Sequence, residues 1–157
     1  MPRKDGRFKR RQVKPDPKFG SPQVQIFINR MMISGKKATA ERMFYEALDK
    51  LAGKIEDKQP IDIFKQAVKN SMPLVKVKAR RIGGATYQVP VEVEPRVSEA
   101  FSHRWLIGAA RKRGGKTFSD KLMNELLDAY GNKGKAVETK EATHKMAEAN
   151  KAYAHFR

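Results

Sequence analysis

Val75-Lys76-Val77-Lys78-Ala79-Arg80-Arg81-Ile82-Gly83-Gly84-Ala85-Thr86-Tyr87-Gln88-Val89-Pro90-Val91-Glu92-Val93 is the stretch where the period of the chain changes. Residues 75–78 alternate between apolar and basic, and 87–93 alternate again, which is the two-residue period of strands with one face against a surface. Gly83-Gly84 between them can adopt the positive φ that a tight two-residue turn needs. The reading is a β-hairpin at about residues 74–94. Pro90 has no amide hydrogen to give to an inner ladder, so a two-stranded ribbon is expected rather than a strand within a sheet. An isolated ribbon is marginal in water, so it should lean on the rest of the fold or on a partner.

On either side the period is helical. Ser21-Pro22 suits an N-cap followed by a first helical residue, and Val24, Ile28, Met31 and Met32 follow on one face. Ser34-Gly35 stops this helix and Lys36-Lys37 open the next. There Met43, Phe44, Ala47, Leu48, Leu51 and Ile55 form a wide apolar stripe, with Glu46 and Lys50 spaced for an i,i+4 pair. Pro60 starts a third helix carrying Ile61, Phe64 and Val68. After the hairpin, Pro95 starts a fourth, with Val97, Phe101, Trp105 and Ala109 at spacings of four. Thr117 with Asp120 resembles a capping box opening a fifth helix, whose face is Leu122, Met123, Leu126, Leu127 and Tyr130 and whose C′ residue is Gly131. Beyond Gly134 a last, polar helix has Met146, Ala147 and a few others to bury. Met1 to Lys18 has eight basic residues, three prolines and almost nothing to bury, which describes a segment disordered by itself. The expected architecture is therefore mainly α. It is a single-domain bundle of about six helices with a protruding two-stranded β-hairpin and a disordered basic N-terminal arm, divided as 1–18 for the arm and 19–157 for the helical domain.

Charge narrows the function. The 157 residues include 34 Lys and Arg against 17 Asp and Glu, a formal net charge of +17. A folded domain gains nothing from such self-repulsion, and a polyanionic partner explains it. Nucleic acid is the first candidate. A membrane partner is not expected, because no apolar run approaches the ~20 residues of a spanning helix and the bases are spread along the chain. With no cysteine, thiolate metal sites and thiol nucleophiles are excluded. The start of the chain has neither the apolar run of a signal peptide nor a Ser-rich, acid-free transit composition, so a cytoplasmic, bacterial-type chain is expected.

The bases gather in four places. They are the arm (Arg3, Lys4, Arg7, Lys9, Arg10, Arg11, Lys14), Lys36-Lys37, the hairpin (Lys76, Lys78, Arg80, Arg81), and the stretch from Arg104 through Arg111, Lys112, Arg113 and Lys116, which holds no acid. Three of these lie at loops or turns, where unmixed bases beside glycine suit phosphate contacts. A solvated helix face would mix the signs, as residues 41–57 do. Tyr87 is a candidate stacking platform for a base, and equally a packing residue of the ribbon. Trp105, Phe44, Phe64 and Phe101 read as core. Enzyme signatures are missing: there is no GxGxxG, no phosphate-binding loop and no GxSxG. Glu141 and His144 are the one acid–base or metal-like pairing, and on a polar helix they read as solvated. No catalytic residue, metal or cofactor is expected.

The hairpin residues 77–93 resemble the hairpin of the bacterial small-subunit ribosomal protein seven family. So do Pro15-Asp16-Pro17-Lys18-Phe19-Gly20-Ser21, Gly35-Lys36-Lys37, Arg104-Trp105-Leu106 and the run from Thr143-His144-Lys145-Met146 to Phe156-Arg157. The resemblance spans essentially the whole chain. It implies a structural constituent of the small ribosomal subunit, a primary binder of the 3′ major domain of small-subunit rRNA that nucleates assembly of the head. It also implies a hairpin near exit-site tRNA and the mRNA path, with Arg80, Arg81, Gly83, Gly84 and Tyr87 proximal to tRNA. The arm residues, Lys36, Lys37, Lys76, Lys78, Arg111, Lys112, Arg113 and Lys116 would then hold rRNA, and small-subunit proteins nine and eleven would be neighbours. Glu94 and Ser102-His103 depart from the family pattern, which puts contacts there in question. Two other classes fit less of the chain. A DNA-bending protein shares the basic ribbon with its proline, and a metal enzyme would rest on Glu141 and His144 alone.

Overall fold

In the computed structural model, residues 12–55 and 58–156 are described. Six α-helices and one antiparallel hairpin follow in the order α1 (Pro22–Met31), α2 (Lys37–Ala52), α3 (Pro60–Asn70), β1 (Val75–Ile82), β2 (Ala85–Glu92), α4 (Pro95–Lys112), α5 (Phe118–Tyr130) and α6 (Lys135–Ala149). A 3₁₀ turn, η1 (Lys151–Phe156), closes the described chain. The mainly helical architecture with one ribbon is as the periodicities predict. Arg3, Lys4, Arg7, Lys9, Arg10 and Arg11 of the expected arm lie outside the described residues.

Helix α5 is the central element, packed by α2, α3 and α4, because Leu122, Met123, Leu126 and Ala129 give it a buried stripe. Beside it an aromatic cluster fills the middle of the body. Phe27 lies 5.4 Å from Phe44, 5.1 Å from Phe64 and 5.1 Å from the ring of His103, and all four are sealed from solvent. Such tilted and edge-on pairs add to the area they bury. The expected cap of α5 is present: Thr117 Oγ1 accepts from the Asp120 amide at 3.2 Å and donates to Asp120 Oδ2 at 2.6 Å.

Four local expectations change. The buried face of α4 is Ser98, Ser102, His103, Leu106, Ile107, Ala109 and Ala110, whereas Val97 is exposed and Phe101 and Trp105 are half-buried at its flank. Hydroxyls can stand in that core because each finds an acceptor: Ser98 donates to the Pro73 carbonyl at 2.7 Å and Ser102 to the Val68 carbonyl at 2.8 Å. Glu46 and Lys50 do not pair. Lys50 reaches Asp120, and Glu46 accepts from Ser119 at 2.8 Å, so both charges tie α2 to α5. Gly131 keeps a right-handed conformation and the left-handed residue is Asn132, at φ 55°. Met146 is half exposed, and α6 buries Ala136, Val137 and Ala147.

At the N-terminal edge Asp16 is 1% exposed. Its carboxylate accepts from the Lys18 and Phe19 amides at 3.1 and 2.9 Å and from the Tyr45 hydroxyl at 2.6 Å. The turn 16–20 is thereby fastened to α2.

Candidate nucleic-acid interface

The ribbon pairs Val75 with Glu92, Val77 with Pro90, Arg80 with Tyr87 and Ile82 with Ala85. Gly83 and Gly84, at φ 57° and 86°, form the two-residue connection. This is the primed turn that matches the twist of paired strands. Because side chains alternate across a strand, Lys76, Lys78 and Arg80 share one face and Arg81 stands on the other. Arg80 and Arg81 are exposed at the tip, as is Lys78 farther down. Lys76 is half-buried, with its ammonium 5.3 Å from the centre of the Phe101 ring. Tyr87 is half-buried, its ring 5.2 Å from that of Tyr153 in η1. Of the two readings open for Tyr87, packing within the fold is the contact observed.

The ribbon's root is pinned by polar contacts. The Leu74 amide donates to His144 Nε2 at 3.0 Å, and the Val93 amide to the Leu74 carbonyl at 3.0 Å. His144 is thus an acceptor for the backbone of the hairpin. Among the described residues no group of His, Asp or Glu is arranged to hold a metal ion.

A second basic surface lies on the body, where α1 meets α4. Arg30, Arg104 and Arg111 line a cleft of about 300 Å³ over Ile107 and Gly108. Arg30 Nη1 lies 2.7 Å from His103 Nδ1, which can accept only as a neutral ring. Burial, reinforced by the charge of Arg30, pushes His103 down to about 3, so the ring is neutral near pH 7. Burial also lowers Arg30; Glu99 opposes this, and Arg104 and Arg96 add to it as like charges. Arg111 donates to the Met31 carbonyl at 3.1 Å, joining α4 to the end of α1. Lys36 is exposed at the N-cap of α2, and Lys37 is exposed with Glu41 at 3.4 Å. Lys14, Lys112 and Lys116 are exposed.

Arg113 differs from its neighbours in the basic run. Its guanidinium reaches Glu125 Oε2 at 2.6 Å and Asp128 Oδ2 at 2.5 Å. Burial works against its charge, and the carboxylates of Asp128 and Glu125 outweigh it and raise its pKa. Glu125, almost fully buried, also accepts from the Ala136 amide at 3.0 Å. This arginine closes the junction of α4, α5 and α6, leaving Arg104, Arg111, Lys112 and Lys116 as the outward bases of the stretch. Sequence reasoning passed over Arg30 and Arg96 and counted Arg104 in a basic stretch without naming it among the rRNA-holding residues. The spacings of eight and seven from Arg96 to Arg104 to Arg111 hold the signal, since two helical turns bring such residues onto one side.

No helix among the described residues is long and apolar enough to cross a membrane. Comparison with known proteins matches residues 2–151 to the family described as ribosomal protein S7p/S5e. The chain is 54% identical over 157 residues to the small ribosomal subunit protein uS7 of Solidesulfovibrio magneticus, covering 100% of this chain and 99% of that one. It is 53% identical over 148 residues to uS7 of Natranaerobius thermophilus and 52% over 148 to uS7 of Chromohalobacter salexigens, covering 94% of each chain in both cases. A ribbon with a basic tip, a helical body with its own arginine-lined face, and matches over nearly the whole length agree: this chain belongs to the ribosomal protein S7p/S5e family.

Proposed function

We propose that the chain works as a two-surface clamp on ribosomal RNA, its body seated on the 3′ major domain of small-subunit rRNA while the ribbon projects toward a different ligand. The chain is a ribosomal protein of the small subunit, structural and not catalytic, with rRNA and other ribosomal proteins as partners. One observation supports the division of labour. Arg30, Arg104 and Arg111 stand together on the α1/α4 face over a sealed core, while Arg80 and Arg81 stand at the tip of a ribbon without a core of its own.

On this reading Lys36, Lys37, Arg111, Lys112, Lys116 and the arm from Arg3 to Lys14 hold rRNA phosphates, with Lys76 and Lys78 at the base of the ribbon. Arg30 and Arg104 join that set. Seating the body nucleates assembly of the subunit head. Arg80 lies two strand residues beyond Lys78 and four beyond Lys76, roughly 7–14 Å, and Arg81 and the Gly83-Gly84 turn lie farther out still. That is far enough to meet exit-site tRNA and the mRNA path. Small-subunit proteins nine and eleven are the neighbours proposed for the body and the C-terminal turn.

The test is reconstitution in parallel. Arg80→Ala with Arg81→Ala should leave head assembly nearly normal and weaken retention of exit-site tRNA. Lys76→Ala with Lys78→Ala should weaken binding to the isolated 3′ major domain and lower the slope of log K against log salt by ~0.7–0.9 per lost phosphate contact. With about 8 phosphates engaged, the unaltered chain should show a slope on the order of −6. A tip variant that cannot assemble, beside a base variant that assembles normally, reverses the assignment.

A further inference from the structure

Between the end of α1 and the start of α5 the surface holds an apolar cavity of about 310 Å³. Met31, Ala40, Met43 and Phe118 line it, and Thr39 brings a hydroxyl. Ile33, also part of the lining, is 63% exposed. The volume lies at the lower end of the ~300–1,000 Å³ typical of ligand sites. Lys36 and Arg111, both exposed, complete the lining.

Arg111 has a second role. It also lines the cleft that contains Arg30 and Arg104, so the apolar cavity and the arginine cleft are neighbours sharing one wall. No Asp or Glu lines either of them. In the cleft Arg30 is aimed by a fully buried acceptor, His103 Nδ1 at 2.7 Å, and not by a carboxylate that would cancel its charge. Glu99 acts on Arg30 from outside the lining and the like charges of Arg104 and Arg96 work against it, so an arriving phosphate supplies the negative charge that the cleft itself lacks.

We infer that the two cavities form one nucleotide subsite, in which a single unstacked base of the bound RNA enters the Met31–Met43–Phe118 cavity while its phosphate lies against Arg30 and Arg104, with Arg111 between them. The inference rests on the reading that the partner is RNA and adds where an extruded residue of that RNA goes. A planar base brings two apolar faces and a polar edge, which fit an apolar wall with one hydroxyl. Single-stranded bulges and loops are where proteins grip RNA in this way. An acidic peptide with an apolar anchor would also meet positive charge. The guanidinium cluster, with its forked donors and no carboxylate in the cleft lining, matches a phosphodiester better.

The experiment uses the full chain and the 3′ major domain of small-subunit rRNA. Thr39→Trp fills the cavity from a half-buried position, and Ile33→Ser removes an exposed wall without touching the core. Circular dichroism establishes that both remain folded. Affinity should fall about 5- to 100-fold, the effect of losing one stacked base, with the salt slope unchanged because no phosphate contact is lost. One nucleotide shielded from base-specific chemical probing in the unaltered complex should become reactive in both variants. Arg104→Gln should instead lower the salt slope by ~0.7–0.9. Unchanged affinity and unchanged reactivity in both cavity variants overturn the subsite. So does normal RNA binding accompanied by loss of a neighbouring protein from reconstituted subunits, which would make the cavity a protein dock. Failure of the unaltered chain to bind the RNA at all overturns the reading beneath it, and the subsite with it.

Discussion

The helical body and the ribbon solve the same problem, carrying positive charge on a folded chain, in opposite ways. In the body, Phe27, Phe44, Phe64, Leu48 and Leu126 are sealed from solvent, and the bases stand on top of that core. In the ribbon no residue of β1 is buried, and β2 buries only Val89 and Pro90. The ribbon is held at its root, through His144, Leu74 and Val93, and laterally by Tyr153. The body therefore cannot change a recognition surface without regard to the packing below it. The ribbon has almost nothing below its tip, so its tip residues are available for recognition alone.

That contrast can be broken most forcefully from the body side. Phe27→Ala opens the centre of the aromatic cluster and should cost about 3–5 kcal/mol, read by urea unfolding. A cost under about 1 kcal/mol would mean that the cluster is not what holds the body. Glu125→Ala removes the buried acceptor shared by Arg113 and the Ala136 amide. It should cost about 2–3 kcal/mol and leave the RNA salt slope unaltered, because the charge of Arg113 is directed inward.

Acid probes the body through His103. His103 has a folded pKa of about 3 against 6.5 when unfolded. The unfolded chain takes up a proton below pH 6.5 that the folded chain refuses, so this contribution is fully present above pH 6.5 and is lost as pH falls toward 3. The difference in stability between the parent and His103→Gln should shrink by on the order of 1 kcal/mol per pH unit between 6.5 and 5. A difference independent of pH would show that the ring is not buried as a neutral group.

On the ribbon side the effects are smaller and local. His144→Ala should speed hydrogen exchange at the Leu74 amide and loosen the root by about 1 kcal/mol, with the global unfolding midpoint nearly unmoved. Arg80→Ala with Arg81→Ala should change stability by no more than about 0.5 kcal/mol. A clear loss of thermal stability in that pair would show that the tip is part of the body's packing after all.

The same contrast explains what could be read in the sequence. The ribbon was legible down to its turn, because alternation and Gly83-Gly84 are local signals, and the Thr117–Asp120 cap was legible for the same reason. The inner face of α4 was not. Ser98, Ser102 and His103 look like solvent-facing residues until the carbonyls of Pro73 and Val68 and the guanidinium of Arg30 are brought to them by the fold. Asp16 and Glu125 are hidden by the same mechanism: a buried carboxylate depends on donors distant in sequence. Arg113 could not be separated from Arg111 and Lys112 by composition, since only the packing of α4 on α5 sets Glu125 and Asp128 opposite it. Arg30 was missed as a single base on an apolar helix whose partners stand on α4, more than seventy residues later.

The Gly83-Gly84 turn carries a consequence of handedness. A methyl group added at either position would meet nothing within 4 Å, so there is ample room for a side chain. What excludes one is chirality: at φ 57° and 86° an L-residue is disfavoured by roughly 1–2 kcal/mol, while its mirror image is at ease. The end of the ribbon is thus a place where a D-amino acid fits better than any residue the genetic code can supply apart from glycine. D-alanine placed there by chemical synthesis should keep the hairpin closed and stiffen it, whereas L-alanine should pry the strands apart.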